Sequence, residues 1–169
     1  MSRKVVYIIG SLANRQEIIS LATKLEAETG WEWFADWTAP GPLADDFLRD
    51  MAKDRGWDYI RTLHSHAAQH ICAFDKKHLD RADAALMVLP CGKSCHLELG
   101  YMAGKGKPTY VYMPTPPERV DVMYNLASVV ANSLDEIVRD MHNEFTQSQS
   151  VGPFTSPPRG LIGDHEYLA

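Results

Sequence analysis

Two carboxylates have the type and setting for chemistry at a glycosidic carbon. Glu98 lies in the run Leu89-Pro90-Cys91-Gly92-Lys93-Ser94-Cys95-His96-Leu97-Glu98-Leu99-Gly100-Tyr101. The spacing predicts a helix opening near Ser94, whose hydroxyl suits it to accept from an orphaned amide as a cap. Glu98 then falls in the first turns. Helical side chains lean toward the N-terminus, so its carboxylate is expected to point at the preceding loop. The helix dipole favours its ionised form there by about 0.3–1 kcal/mol. An ionised carboxylate at a ligand-binding edge is what a nucleophile at an anomeric carbon requires. Gly100 is expected to let this helix pack close to a sheet. The second carboxylate is Asp75, late in a long helical stretch. Breaking a bond between a sugar and a base needs one carboxylate to attack and another acid to protonate the departing base. Asp83 directly precedes a strand, at the wrong end of a sheet, and Asp80 reads as a solvated turn residue.

Other reactive side chains fit less well. His66 and His70 are four apart on a helix, with His64 nearby, and Cys91, Cys95 and His96 follow later. There is no HExxH and no paired CxxC, so no metal and no cofactor are expected. His96 is two residues from Glu98, a spacing that turns it to another side of the helix. An amidase-like cysteine at Cys91 or Cys95 lacks an identifiable histidine–aspartate partner. Gly104-Lys105-Gly106-Lys107 ends a helix instead of opening one, and so is a helix stop and not a phosphate loop.

The elements that must position the carboxylates alternate. Val5 to Ile9 is a continuous β-branched run, a strand buried on both faces and ended by Gly10-Ser11. Ile18, Leu21, Ala22 and Leu25 mark a helix stopped by Gly30. Trp31 to Ala35 reads as a second strand, running through Asp36-Trp37 into a Pro40-Gly41-Pro42 loop. Helices are expected over 43–54 and 59–79, separated near Gly56. Strands follow at Ala84 to Leu89, Thr109 to Met113 and Val129-Val130, and a last helix at Leu134 to His142 capped by Ser133. This alternation predicts an α/β, flavodoxin- or Rossmann-like doubly wound sandwich on a mostly parallel five-stranded sheet. Ligands of such sheets bind beyond the carboxyl ends of the strands, at the switch point. The residues there are Gly10, Ser11, Asp36, Trp37, the stretch from Pro90 to Glu98 and the segment after Met113. Trp37 is suited to stack on a base and Asp36 to hydrogen-bond it, whereas Trp33 and Trp57 fit a core equally well.

Residues 1–144 are expected to form one domain and 145–169 an irregular tail rich in Pro, Gly and Ser. The 169 residues, with 17 basic and 22 acidic side chains, carry a net charge of −5. That balance disfavours binding to nucleic acid polymers. Three cysteines disfavour a disulfide scaffold. No apolar run approaches the roughly 20 residues of a membrane helix, and Val5 to Ile9 is too short for a signal-peptide core. The expected setting is cytoplasmic, with no membrane partner.

Three segments together resemble the nucleoside 2-deoxyribosyltransferase family and its nucleotide N-glycosidase relatives. They are Val6-Tyr7-Ile8-Ile9-Gly10-Ser11, the run from Asp75 to Asp83, and His96-Leu97-Glu98-Leu99-Gly100-Tyr101 followed by Gly106-Lys107-Pro108. The likeness extends over about Lys4 to Asp140. It implies Glu98 as nucleophile, Asp75 as the aspartate that contacts the base, and Tyr7 as the tyrosine that orients the nucleophile. Tyr124-Asn125-Leu126 matches a segment that, in the transferases, reaches into a neighbouring subunit. The resemblance therefore implies a homo-oligomer with shared sites and Asn125 near the adjacent deoxyribose.

Departures from the pattern leave the substrate open. The transferases carry a sugar-binding aspartate six residues before the nucleophile, where this chain has Gly92. The nucleotide-hydrolysing relatives hold a 5′-phosphate with serines, and here Ser11, Lys93 and Ser94 are placed to do so, with helix amides as further donors. Hydrolase versus transferase and nucleotide versus nucleoside stay open. The mechanism implied is retaining: Glu98 attacks C1′ of a 2-deoxyribosyl group, the base leaves with help from Asp75, and a second base or water resolves the ester. The competing class is a non-catalytic module on the same fold that senses a nucleotide or NAD derivative. The family uses its chain terminus near the site, which draws in Arg159, Asp164 and Tyr167.

Overall fold

The computed structural model describes residues 3–38 and 43–147. Arg159, Asp164, Tyr167 and the Pro40-Gly41-Pro42 loop lie outside the described residues. Strands β1 (Val5–Ile9), β2 (Glu32–Phe34), β3 (Ala84–Val88), β4 (Thr109–Tyr112) and β5 (Val129–Ala131) form one sheet in the order β2-β1-β3-β4-β5. The helices are α1 (Arg15–Thr29), α2 (Leu43–Asp54), α3 (Tyr59–Leu63), α4 (His66–Arg81), α5 (Lys93–Gly104) and α6 (Leu134–Gln147). The strand order reverses the chain's direction of travel across the sheet, as in doubly wound folds. The doubly wound α/β expectation is met, and the sheet is parallel throughout. Packing divides the chain into two compact units that meet in sequence between Asp83 and Ala84.

In the first unit β1 pairs with β2, with Val5 opposite Glu32, Val6 opposite Trp33 and Tyr7 opposite Phe34. Val6, Tyr7, Ile8 and Ile9 are all buried, as a strand covered on both faces requires. Helix α1 packs against β2 and buries Ile18, Ala22 and Leu25, spaced for one helical face. It stops at Gly30, whose φ of 70° is the left-handed conformation that glycine adopts without a side-chain clash. Asp83 holds the amino end of β1. Its carboxylate accepts from the Val5 amide at 2.9 Å and pairs with Lys4 at 3.2 Å, while its own amide donates to Val5 O at 2.7 Å. Asp83 thus ties the amino end of β1 to the chain leaving α4.

The second unit pairs β3 with β4 and β4 with β5. Helix α5 buries Cys95, Leu99 and Met102, and α6 buries Ile137, Met141 and Phe145. Each fully buried large side chain of this kind stabilises the fold by roughly 1.5–3 kcal/mol.

Four local expectations need correction. The helix expected over 59–79 is two, because Ser65 adopts an extended backbone and caps α4, its hydroxyl accepting from the Ala68 amide at 3.3 Å. Helix α5 opens at Lys93, two residues earlier than a Ser94 cap would place it, with Gly92 at its cap position and no side-chain cap, so Ser94 is an exposed first-turn residue. Helix α6 continues past His142 to Gln147, because Phe145 extends its buried stripe. Asp80 lies within α4 and pairs with Lys76 at 2.7 Å instead of standing in a turn.

The junction after β1 is tight. A Cβ at Gly10 would lie 2.7 and 2.9 Å from two carbons of the buried Ile18 side chain, and 3.6 Å from the Trp37 ring. Gly10→Ala is therefore expected to destabilise the protein by about 1–3 kcal/mol through overpacking. Ile18→Val in the same chain, which deletes the nearer carbon, is expected to return part of that loss. Urea unfolding midpoints of the three variants check this, and an unchanged midpoint for Gly10→Ala would refute it.

Candidate functional site

In the first unit the strand ends are built around Trp37. Its indole N–H donates to Ile8 O at 2.6 Å, within a 3-10 turn over Asp36–Thr38. This anchors the ring at the carboxyl end of β1 and uses its polar handle on the backbone, so only ring surface remains for a ligand. Ser11 caps a second short turn, its hydroxyl oxygen accepting from the Ala13 amide at 3.2 Å. Trp33 is core, and its indole N–H donates to Thr29 Oγ1 at 2.8 Å. Trp57 lies under the guanidinium groups of both Arg55 and Arg61.

An aromatic ladder fixes the register of α4 and with it Asp75. Tyr7 packs on Phe34 at 5.3 Å between ring centres, and Phe34 stacks nearly parallel on His78 at 4.1 Å. Phe74 closes against His78 at 4.6 Å. Arg81 spans Phe34 and makes a two-pronged ion pair with Glu32. The Arg81 hydrogen bond holds the Glu32 carboxyl below its ordinary range. Burial, followed by the charges of Arg81 and Lys77, holds His78 below the usual histidine range. Asp75, half-buried on α4, is adjacent in sequence to Phe74 and one turn from His78. Tyr7 is only 1% exposed, and Asp36 is exposed.

The second unit holds Glu98, Gly92, Lys93, Ser94 and Asn125. Glu98 is half-buried in the second turn of α5. The Cys91 thiol is pushed up by its hydrogen bond with Cys95, by burial, and by the negative charges of Cys95 and Glu98. Gly92, Lys93 and Ser94 are exposed, as is Asn125 in a 3-10 turn over Val122–Leu126. Gly100 does not serve close packing: it is exposed, and a Cβ added to it would meet nothing within 4 Å.

His96 was legible only as turned away from Glu98. The structure shows what it turns to: Nδ1 lies 2.9 Å from Gly92 O and Nε2 3.0 Å from the Tyr124 hydroxyl. A carbonyl only accepts, so Nδ1 carries the hydrogen and Nε2 accepts from the phenol. One imidazole thus ties the loop before α5 to the turn carrying Asn125. Burial, then the charges of Cys91 and Asp121, raises the Tyr124 phenol above its ordinary range. Beside this link is a groove of about 230 Å³, whose lining includes Leu99, Gly100, Ala103 and Leu126. Among the described residues no group of three or more His, Cys, Asp or Glu is arranged to hold a metal ion. No helix of the described residues is long and apolar enough to cross a membrane.

No family model matches the chain, and no curated protein sequence matches it. Among solved structures the chain is similar to the Clostridium botulinum CMP N-glycosidase BcmB. The two are 14% identical, with 82% of this chain and 99% of that chain covered and a TM-score of 0.47.

Tyr124→Phe removes the hydrogen that His96 Nε2 accepts, and is expected to lower stability by about 0.5–1.5 kcal/mol. Nitrogen NMR of the imidazole is expected to show the proton on Nδ1 in both proteins, with the Nε2 signal moving in the variant. A proton on Nε2 in the parent protein would overturn this assignment.

Proposed function

We propose that the protein cleaves the N-glycosidic bond of 2-deoxynucleosides or 2-deoxynucleotides through a covalent deoxyribosyl-glutamate, passing the sugar to another base or to water. The observation that carries this reading is the setting of Glu98. It is a half-buried carboxylate in the second turn of a helix entered from the carboxyl end of a parallel strand. The resemblance of the three sequence segments supports the same assignment. Glu98 attacks C1′, and the bond from C1′ to the base nitrogen breaks as Asp75 delivers a proton to the base. Water or an acceptor base, losing a proton to the Asp75 carboxylate, then displaces the glutamate at C1′, which restores the Glu98 carboxylate and the Asp75 acid. Retention follows from two displacements at one carbon. In this reading Tyr7 orients the nucleophile, Asp36 and Trp37 meet the base, and Gly10, Ser11, Gly92, Lys93 and Ser94 surround the sugar and any 5′-phosphate.

The reading includes a homo-oligomer in which Asn125 contributes to a neighbour's site. Met123 and Leu126, which flank Asn125 in the same turn, are 62% and 60% exposed, and Leu97 on α5 is 76% exposed. Apolar surface of this kind is common at subunit contacts. Light scattering is expected to give a mass of at least two protomers, and Leu126→Asp to reduce it to one. A single-protomer mass for the parent protein would remove the shared-site part of the reading.

Chromatography of the protein with each deoxynucleoside and deoxynucleotide, with and without an acceptor base, tests the activity. Glu98→Ala is expected to abolish turnover, and Asp75→Asn to lower it by about 10²–10⁴-fold, the usual contribution of a general acid. Base released without an acceptor identifies a hydrolase, and a new nucleoside formed only with an acceptor identifies a transferase. Substrate binding without turnover dependent on Glu98 would favour the sensing module.

A further inference from the structure

We propose that His96 is a positioning residue: tied to Tyr124, it fixes the backbone of Gly92, Lys93 and Ser94 where the chain enters α5. The inference rests on the reading above, in which those three residues surround the sugar and any 5′-phosphate. The entry to the helix needs such a hold. Gly92 stands at the cap position of α5 with no side-chain cap, and a glycine leaves the backbone a wide choice of conformations. Gly92, Lys93 and Ser94 are all exposed. The carbonyl of a cap residue accepts the first backbone bond of its helix. In α5 the Gly92 carbonyl also accepts from His96 Nδ1 at 2.9 Å. A side chain one turn into the helix thus does what the missing cap would do.

The other end of the tie is anchored to the sheet. Nε2 of His96 lies 3.0 Å from the Tyr124 hydroxyl, and the two rings are 5.8 Å apart, centre to centre. The turn carrying Tyr124 starts at Asp121, whose carboxylate accepts from the Met123 amide at 3.0 Å. It closes with the Ala127 amide donating to Tyr124 O at 3.0 Å. The next amide, Ser128, donates to Thr109 O of β4 at 2.8 Å. The groove of about 230 Å³ is lined from both sides, by Leu99, Gly100 and Ala103 of α5 and by Met123 and Leu126 of the turn. A Cβ on Gly100 would meet nothing within 4 Å, so no side chain fills that space. A hydrogen bond fixes both length and direction, which an open apolar groove does not. The imidazole therefore sets where the entry to α5 stands relative to the anchored turn.

The test is a double-variant cycle on the full chain, read in two ways. Tyr124→Phe removes the phenol hydrogen, and His96→Asn keeps an amide donor for Gly92 O but falls short of Tyr124. Each variant is expected to lower the backbone NMR order parameters of Gly92, Lys93 and Ser94 from about 0.85 toward 0.6, from rigid to flexible. Each is also expected to raise KM for the deoxynucleoside or deoxynucleotide that the parent protein cleaves by about 2–10-fold, the worth of one hydrogen bond, with kcat little changed. The double variant is expected to match the single ones, because both changes remove one shared link. A parent protein without turnover dependent on Glu98 defeats the reaction reading, and the order parameters then decide whether His96 fixes the entry to α5. Unchanged order parameters in Tyr124→Phe, additive effects in the double variant, or a lowered urea midpoint with KM unchanged would each overturn the proposal.

Discussion

Parallel pairing of the strands is the constraint from which the rest of the structure follows. A parallel strand cannot return through a tight turn, so each connection leaves the sheet and comes back by way of a helix or a long loop. Both faces of β1 are then covered, and its side chains become core. The backbone pays attention to the same constraint at its ends. The first amide and carbonyl of β1 are met by the side chain and amide of Asp83, which places the chain leaving α4 directly beside the start of that strand. At the other end the Trp37 indole donates to Ile8 O. Both ends of the strand are thus held by single side chains acting on backbone groups.

Much of this was legible because burial imposes a period on the sequence. The bounds of β1 and α2 agree with expectation, and Gly30 ends α1 where its freedom to adopt positive φ is needed. The misses fall where one local hydrogen bond decides between two acceptable backbones. The pattern from Tyr59 to Leu79 reads as one helix, and the break comes where α3 closes on the His64 and Ser65 amides and Ser65 caps α4. Ser94 has the chemistry of a cap, yet the chain enters the helix at Lys93. A serine in the first turn and a serine at the cap differ by two residues, a difference that periodicity does not resolve.

The candidate site shows the same division. Glu98 was visible because its position follows from the strand-to-helix junction and the direction of helical side chains. The ladder of Tyr7, Phe34, Phe74 and His78 was not visible, since it joins two strands and a helix across the first unit. His96 and Tyr124 are 28 residues apart, and nothing in their spacing announces a shared hydrogen bond. Cys91 and Cys95 were noticed for their chemistry but weighed as a nucleophile or as metal ligands.

Gly10 carries a consequence for how this chain can vary over time. Its missing side chain is space already occupied by Ile18 and bordered by the Trp37 ring. The three positions lie in a strand end, a helix and a turn, yet none can drift alone without disturbing the others. A lineage that acquired a side chain at position 10 would first need a smaller residue at position 18. The order of substitutions then becomes part of the constraint, and the trio is an epistatic knot that restricts which paths through sequence space keep the end of β1 in its present shape.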